Sequence, residues 1–226
     1  MGMQTLDVPF DDLTLRVAAK DINYEEIRAA GMDFVERIQS FGARNGPFAR
    51  SKRPIRLPDD APAVAREMAD AAAVAGVGPM DAYRGALVEF VGRSIAAKGR
   101  RRDVTVSCPG LWFVLARKRA RLPVRSGRLG EPLGIAIRPE LGPQGVYSSL
   151  GRELERVLPG HDDGIVVAAS SAALAAAAAT AAKAILARRE ALGDALAYLQ
   201  GLPGLLGAML VRGDEIGFAG AIELVA

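Results

Sequence analysis

Cysteine and histidine are nearly absent from this chain of 226 residues, and their scarcity excludes several kinds of site. Cys108 is the one cysteine and His161 the one histidine. A single cysteine cannot form an internal disulfide, and these two residues cannot supply a zinc cage or a multi-histidine metal site. No histidine or acid stands at a recognisable spacing to activate Cys108, so we interpret it as a buried structural thiol.

Signals for secretion and for membrane insertion are also lacking. Residues 1–17 contain early acids and no long apolar region, unlike a secretory signal. Residues 164–182 are uncharged and reach the length of a membrane span. Most of them are alanine, however, and the segment reads as a buried strand, GIVVAAS, followed by a serine cap and a helix. We expect a cytoplasmic protein with no membrane partner.

The positive charge is concentrated in one part of the chain. The net charge is only +3, yet residues 98–128 contain ten Lys or Arg and one acid, Asp103. This tract could bind a phosphorylated ligand or nucleic acid, or it could be the solvated rim of a β-hairpin. Its candidate phosphate-binding residues, which we call the arginine patch, are Arg117, Lys118, Arg119 and Arg121.

The order of the predicted elements indicates an α+β fold. Helical periodicity and short apolar runs alternate without the regular βαβ order of a parallel sheet. A proline- and charge-rich loop at residues 44–62 is the candidate junction between two lobes of one domain, residues 1–226. The predicted elements are a strand at 13–19, helices at 24–42, 63–75 and 79–97, short strands between 103 and 169, a helical pair from 172 to 200 and a hairpin turning at Gly213–Asp214.

Four stretches resemble, in order and spacing, a small ApbE-like family of uncharacterised bacterial and archaeal proteins. The stretches are AGVGPMDAYRGALVEFVG (75–92), GVYSSLG (145–151), GIVVAASSAALAAAAAT (164–180) and GAIELV (220–225). The resemblance implies a two-lobed fold with a mixed or antiparallel sheet, packed helices and a cleft between the lobes. A larger relative of this family cleaves FAD with magnesium and attaches FMN to a threonine of a target protein.

Two departures from the family pattern concern magnesium. The family's aspartate in the alanine-rich helix falls at Ala176, whereas its threonine is retained as Thr180. A second family motif, Glu-Asn-Gly-Gly-Asp, aligns with residues 107–111, where only Gly110 survives. Because Mg²⁺ prefers carboxylate ligands, we expect no metal site and no magnesium-dependent FMN transfer. Whether the protein is an enzyme of another kind stays open.

The glycine-rich segment is the first candidate for ligand binding. Gly76, Gly78, Pro79 and Met80 could line a pocket, with free N–H groups at the start of the following helix facing an anion. They could equally form a plain turn between two helices. Asp81 would weaken a phosphate assignment there.

Three hydroxyls complete the predicted ligand-binding set. Ser148 and Ser149 could cradle phosphate or ribose oxygens, or cap the helix predicted after them. Thr180 could serve a ligand, although a mid-helix threonine usually bonds the preceding turn.

Two further groups of acids have plainer explanations. Glu89 could be a buried functional carboxylate, but we expect an exposed helix residue. The sequence His161-Asp162-Asp163 could bind a divalent ion, but a solvated loop explains it better.

The function that these residues and the resemblance predict is binding of a phosphorylated heteroaromatic compound, flavin-like or pterin-like, in the cleft. The resemblance implies a link to cofactor biosynthesis, and we expect a homo-oligomer. The alternatives are an active FAD:protein FMN transferase, or a nucleic-acid- or protein-binding module that uses the arginine patch.

Overall fold

The computed structural model describes residues 2–10, 13–124, 133–150, 164–188 and 192–225. Eleven strands and six α-helices lie within them, together with two short 3₁₀ turns at Pro79–Ala82 and Pro139–Leu141. The strands are β1 (Met3–Phe10), β2 (Leu13–Lys20), β3 (Val104–Cys108), β4 (Leu111–Leu115), β5 (Ala120–Val124), β6 (Leu133–Ile137), β7 (Gln144–Ser148), β8 (Gly164–Ala169), β9 (Leu205–Arg212), β10 (Glu215–Gly220) and β11 (Leu224–Val225). The helices are α1 (Tyr24–Arg44), α2 (Gly46–Arg50), α3 (Ala63–Ala75), α4 (Tyr83–Lys98), α5 (Ala172–Ala187) and α6 (Leu192–Gln200).

The strands form two antiparallel sheets. The large sheet has eight strands in the order β1-β2-β3-β4-β7-β8-β9-β10, and the small sheet has the order β11-β6-β5. The main hydrophobic core lies between the helices and one face of the large sheet. A second core joins the other face to the small sheet, through Val114, Val146, Val166 and Met209 against Leu122, Ile135 and Ile137. The predicted α+β class is confirmed.

Strands β1 and β5 and helix α2 were not predicted, and β1 and α2 show why. Strand β1 contains Asp7 and Pro9 and buries only Val8 and Phe10, so its sequence carries a weak strand pattern. It is an edge strand, where proline is tolerated, and it pairs with β2 along its whole length. Helix α2 interrupts the predicted loop at 44–62 and begins at Gly46, after the cap residue Asn45, whose side chain accepts from the Phe48 N–H. The lobe junction in that loop stays a prediction.

The alanine-rich segment is a strand, a serine cap and a buried helix, as the sequence predicts. The Ser171 hydroxyl accepts from the Leu174 N–H at 3.0 Å, and the residues from Ala172 to Ala179 are all buried. None of the helices within the described ranges is long and apolar enough to span a membrane.

Small residues let the neighbours of α5 approach its backbone. A Cβ atom at Gly85 would lie 2.0 Å from the Ala172 carbonyl oxygen, and one at Gly145 would lie 2.2 Å from the Ala172 nitrogen. Such contacts are too short for any side chain, so α4 and β7 can reach α5 only through glycine. The alanines complete this close packing because each projects only a methyl group.

Candidate functional site

Helix α5 is the element on which the predicted ligand-binding segments converge. It contacts β7, which ends at Ser148, and the 3₁₀ turn at Pro79–Ala82, which follows the glycine-rich segment. Thr180 lies on α5 itself. The fold therefore brings three separate stretches of sequence to one helix.

The N-terminal end of α5 is closed by a buried carboxylate. Glu89 on α4 is only 5% exposed, so our expectation of an exposed residue was wrong. One of its oxygens accepts from the N–H groups of Ala172 (2.8 Å) and Ala173 (3.4 Å), while Arg93 binds the other oxygen. These N–H groups have no partner within the helix, and a negative charge there is stabilised by the helix dipole. Glu89 therefore occupies the position that an anionic ligand would need at this helix end.

The glycine-rich segment is first of all a helix-to-helix turn. Gly76 ends α3 in a left-handed conformation with φ of 67°, and a Cβ atom at Gly78 would lie 1.9 Å from the Ser51 carbonyl oxygen. The Asp81 carboxylate accepts from the Gly78 N–H at 3.1 Å. Pro79 is buried and Met80 half-buried beside this turn. The Asp81 N–H, one of those that the anion interpretation expected to be free at the start of the helix, donates to the Gly78 carbonyl at 3.0 Å.

Ser148 and Ser149 use their hydroxyls within the local backbone. The Ser148 side chain is fully buried and accepts from the Leu150 N–H at 3.1 Å. The Ser149 hydroxyl accepts from the Ile165 N–H at 2.8 Å, which extends the pairing of β7 with β8. The helix predicted after Ser149 lies outside the described residues. The candidate ion-binding residues His161, Asp162 and Asp163 lie outside them as well.

Thr180 belongs to a helix face that the sequence predictions covered only in part. Its hydroxyl donates to the Ala176 carbonyl at 3.1 Å, which is the usual bond of a mid-helix threonine. Residues 176, 180 and 183 follow the i, i+4, i+7 spacing of one helix face. Lys183 therefore shares the face on which the family places its aspartate and threonine. We missed Lys183, although this spacing could have revealed it.

Lys183 makes an unusual pair with Tyr147 on β7. Its ammonium donates to the Tyr147 hydroxyl and lies 4.5 Å from the centre of the tyrosine ring. Burial lowers the pKa of Lys183, and the positive charge of Arg84 on α4 lowers it further. Burial raises the pKa of Tyr147 to about 12, with a smaller opposing effect from Arg84. Tyr147 consequently keeps its proton at neutral pH.

The chemistry of this helix face does not fit a magnesium ion. Ala176 presents a methyl group, and its neighbours along the face are a hydroxyl and an ammonium. Within the described ranges, no three His, Cys, Asp or Glu side chains gather as metal ligands would. A cation such as Lys183 repels Mg²⁺ and attracts an anion.

The arginine patch lies at the other end of the large sheet. Ser148 donates its N–H to the Gly110 carbonyl at the start of β4, whereas Arg117 follows the end of β4. The five residues of β4 span about 17 Å, which separates the two positions. Arg117 binds Asp103 at 2.8 Å and Arg119 binds Glu223, while Lys118 and Arg121 are exposed. The structure does not bring the patch together with the residues on α5.

Two other features lie apart from this region. A pocket of about 300 Å³ between the end of β1 and α1 is lined by Phe10, Arg28, Met32 and their neighbours, and contains none of the predicted site residues. Cys108 is a buried cysteine outside any disulfide at the end of β3, as predicted.

Comparison with other proteins supports the resemblance seen in the sequence. A family profile described as AbpE bacteria matches residues 3–198. A UPF0280 protein of Methanopyrus kandleri is 30% identical over 221 residues, covering 92% of this chain and 86% of that protein. A UPF0280 protein of Methanocella arvoryzae is 29% identical over 189 residues, covering 83% and 77%.

Solved structures of ApbE proteins share the fold. A variant of the flavin transferase ApbE from Vibrio cholerae has a TM-score of 0.62 at 10% identity, covering 96% of this chain and 97% of that one. The flavinyl transferase ApbE of Pseudomonas stutzeri has a TM-score of 0.61 at 11% identity, covering 98% and 94%. The ApbE protein of Thermotoga maritima has a TM-score of 0.58 at 11% identity, covering 98% and 96%. With the family match extending from residue 3 to residue 198, this chain belongs to the ApbE-like family described as AbpE bacteria.

Proposed function

We propose that this protein binds a phosphorylated heteroaromatic compound, flavin-like or pterin-like, beside helix α5, and that it does so without magnesium-dependent FMN transfer. One observation carries the proposal: the helix face of Ala176, Thr180 and Lys183 has a methyl group where the family has an aspartate, and an ammonium two turns further on. This face suits a negatively charged group and offers no carboxylate to a metal ion.

Flavins are the first compounds to test. Two of the solved proteins that share this fold are named as a flavin transferase and a flavinyl transferase. At 10–11% identity the likeness concerns the fold alone, so the ligand is our proposal. A pterin presents a similar flat ring with a hydrogen-bonding edge, and it belongs in the same test.

Thermal unfolding with added ligands tests the proposal. The purified protein would be heated with FAD, FMN, a pterin or ATP, each with Mg²⁺ or with EDTA. A ligand present at 100 times its Kd stabilises the folded state by about 2.7 kcal/mol, so binding is readily visible. We expect a flavin or a pterin to raise the Tm equally in Mg²⁺ and in EDTA.

Other outcomes would contradict the proposal. A shift with FAD that requires magnesium, together with FMN transfer to a target protein, would establish a transferase. No shift with any compound, combined with nucleic-acid binding that falls steeply with salt, would favour the arginine patch as the functional surface. A cytoplasmic location, a homo-oligomer and a role in cofactor biosynthesis are parts of the proposal that these experiments leave to separate tests.

A further inference from the structure

We infer that two copies of this chain form a symmetric dimer through strand β10, so that their large sheets join edge to edge in antiparallel order across a two-fold axis. The inference gives a location to the homo-oligomer of the proposed function and rests on it in that respect. It does not depend on the ligand.

The two edges of the large sheet differ in how they are protected against pairing. Edge strand β1 contains Asp7, which forms an ion pair with Arg16, and Pro9, which has no N–H to donate. Charged residues and proline are usual means by which a native edge strand avoids association. Strand β10, with the sequence EIGFAG, contains no proline, and its one charged residue is Glu215 at its start. Among the described residues, no strand pairs with its outer side.

Strand β10 also exposes two large apolar side chains. Ile216 is 44% exposed and Phe218 is 53% exposed. Both lie on the face of the sheet that carries the second core, since Phe218 is paired with Met209, a member of that core. The other face of β10 is covered by α6, where a Cβ atom at Gly217 would lie 2.3 Å from Leu196. The second core is therefore open at this edge of the sheet.

The backbone groups that point away from β9 belong to the same two residues. Along an antiparallel strand, successive residues direct their N–H and C=O groups alternately toward one side and the other. The Gly220 N–H donates to the Gln200 side chain, whereas the Ala221 N–H donates to a carbonyl of β9. Ile216 and Phe218 lie two and four residues before Gly220, so their N–H and C=O groups also point outward. A free edge of this kind can pair with another strand.

One antiparallel register uses all of these groups at once. If Gly217 of each copy lies on the two-fold axis, Ile216 of one copy lies opposite Phe218 of the other, and the two residues exchange both N–H···O=C bonds. The symmetry repeats this pair, so the four outward groups of these residues in each copy are bonded. The same register brings the isoleucine and phenylalanine side chains together on one face, and β-branched and aromatic residues form favourable cross-strand pairs.

The distribution of charge also favours a second copy of this chain. The antiparallel register keeps the two Glu215 carboxylates at opposite ends of the strand pair, and it places Asp214 of one copy opposite Gly220 of the other. Arg138 donates to the Ala221 carbonyl at 3.2 Å, next to Gly220. Within the described ranges, Arg138 forms no salt bridge. An acid of each copy is thus brought beside an arginine of the other.

Other partners explain these features less completely. Two β10 strands in parallel would hold their Glu215 side chains next to each other, which is unfavourable. An extended apolar peptide would pair with the edge but would make no use of Arg138 and Asp214. A second copy in the antiparallel register uses the edge, the apolar side chains and both charges.

Sedimentation equilibrium of the full-length protein tests the inference without any ligand. We expect a reversible dimer at micromolar concentrations. Phe218→Lys places a charge where Ile216 of the other copy packs, and it should raise the dimer dissociation constant at least about 100-fold. Met3→Lys, on the other edge strand, is the matched control because Met3 is also 53% exposed, and it should leave the dissociation constant within about twofold.

An exchange of charges tests the register. Arg138→Asp and Asp214→Arg should each weaken the dimer about tenfold, because each brings two like charges together. The double variant should restore the dissociation constant of the unaltered protein to within about threefold. Single variants that weaken the dimer without any restoration in the double variant would overturn the inference.

Hydrogen exchange keeps the test decisive if Phe218→Lys does not fold, which circular dichroism would show. In the unaltered protein, the amides of Ile216 and Phe218 should exchange at least about tenfold more slowly at concentrations that give the dimer than in dilute solution. Equal exchange rates at both concentrations would overturn the inference.

The measured masses separate this inference from the proposed function. A monomer at every concentration would overturn both the β10 interface and the proposed homo-oligomer. A dimer that Phe218→Lys leaves intact would overturn the β10 interface and leave the homo-oligomer standing. Binding of a flavin or a pterin is measured by the thermal unfolding experiment and does not depend on either result.

Discussion

The two ends of helix α5 are built from opposite chemistry. At the N-terminal end, a buried carboxylate, Glu89, meets the helix N–H groups, and the glycines Gly85 and Gly145 permit backbone contact. Toward the C-terminal end, Lys183 is half-buried beside Tyr147, and within the described residues it forms no salt bridge with a carboxylate. At the N-terminal end, the helix N–H groups have side-chain acceptors and this region stabilises the fold. Toward the C-terminal end, the positive charge of Lys183 has no carboxylate partner among the described residues and could bind a ligand.

The largest effect is expected where α5 meets β7. Gly145→Ala would place a Cβ atom 2.2 Å from the Ala172 backbone, and backbone cannot yield as a flexible side chain can. We expect a loss of stability of at least about 3 kcal/mol, at or above the usual cost of overpacking. Urea denaturation would measure it.

Gly193→Ala is the matched control for that substitution. Gly193 lies in α6 with open space around its Cβ position, so alanine should stabilise the protein by about 0.5–1 kcal/mol. If Gly145→Ala and Gly193→Ala have the same free energy of unfolding, the close backbone contact between β7 and α5 is contradicted.

The second-largest loss of stability is expected for Glu89, the carboxylate at the N-terminal end of α5. Glu89→Ala leaves buried N–H groups of α5 without their acceptor and removes the partner of Arg93, so we expect a loss of about 2–3 kcal/mol. Glu89→Gln keeps one acceptor oxygen and should cost less. Glu36→Ala, at an exposed position of α1, should stay within about 0.5 kcal/mol in the same denaturation experiment. Equal stability of Glu89→Ala and Glu36→Ala would refute the capping role.

The third effect is a small change in the free energy of unfolding at Lys183. Its sign is opposite to that of the first two, because removal of this charged side chain is not expected to destabilise the protein. Because burial and Arg84 lower the pKa of Lys183 in the folded state, the unfolded chain holds this proton more tightly. The stability of the unaltered protein should therefore rise with pH, relative to Lys183→Met, between the lowered pKa and the ordinary value of 10.5. At pH 7 we expect Lys183→Met to be as stable as the unaltered protein or more so.

Denaturation of both proteins from pH 7 to pH 10 would measure this difference, because titrations elsewhere in the chain cancel. A marked loss of stability in Lys183→Met at pH 7 would mean that the ammonium supports the fold, which the account of an unbalanced charge does not allow.

The smallest effect is expected at the arginine patch. Replacing Arg117, Lys118, Arg119 and Arg121 together by glutamine should change pyrophosphate affinity by no more than about twofold, since the patch lies at the opposite end of β4 from Ser148. Calorimetry gives the result directly. A loss above tenfold would move the phosphate site to the patch, which is one of the interpretations that the sequence left open.

Local patterns account for what the sequence predicted well. The β-branched run at residues 164–169, the serine cap and the alanines that follow each specify their own structure, so strand, cap and helix were all predictable. The plain helix-to-helix turn, one of the two interpretations that the sequence left open for Gly76 and Gly78, likewise follows from local residues, with Gly76 ending α3 and Asp81 accepting from the Gly78 N–H. In these cases the residues that determine the local structure are neighbours in the sequence, so the sequence alone is enough to predict it.

Long-range pairing accounts for what the sequence could not show. Glu89 binds N–H groups that are 83 and 84 residues away in the sequence, and Arg119 pairs with Glu223, which is 104 residues away. A dense run of arginines therefore gave no information on which charges the fold neutralises. The spacing from Ala176 and Thr180 could have drawn attention to Lys183, but only the structure shows that Tyr147 lies beside it.

The most direct test of the central claim is a magnesium titration of ligand binding. FAD affinity of the unaltered protein would be measured by calorimetry in EDTA and at increasing Mg²⁺, because FAD carries both the flavin ring and a diphosphate. The account predicts a Kd for FAD in EDTA that Mg²⁺ leaves unchanged or raises, since Lys183, two turns from Ala176 on the same helix face, already provides positive charge. A Kd that tightens tenfold or more with Mg²⁺ would show a working metal site at α5 and contradict the account.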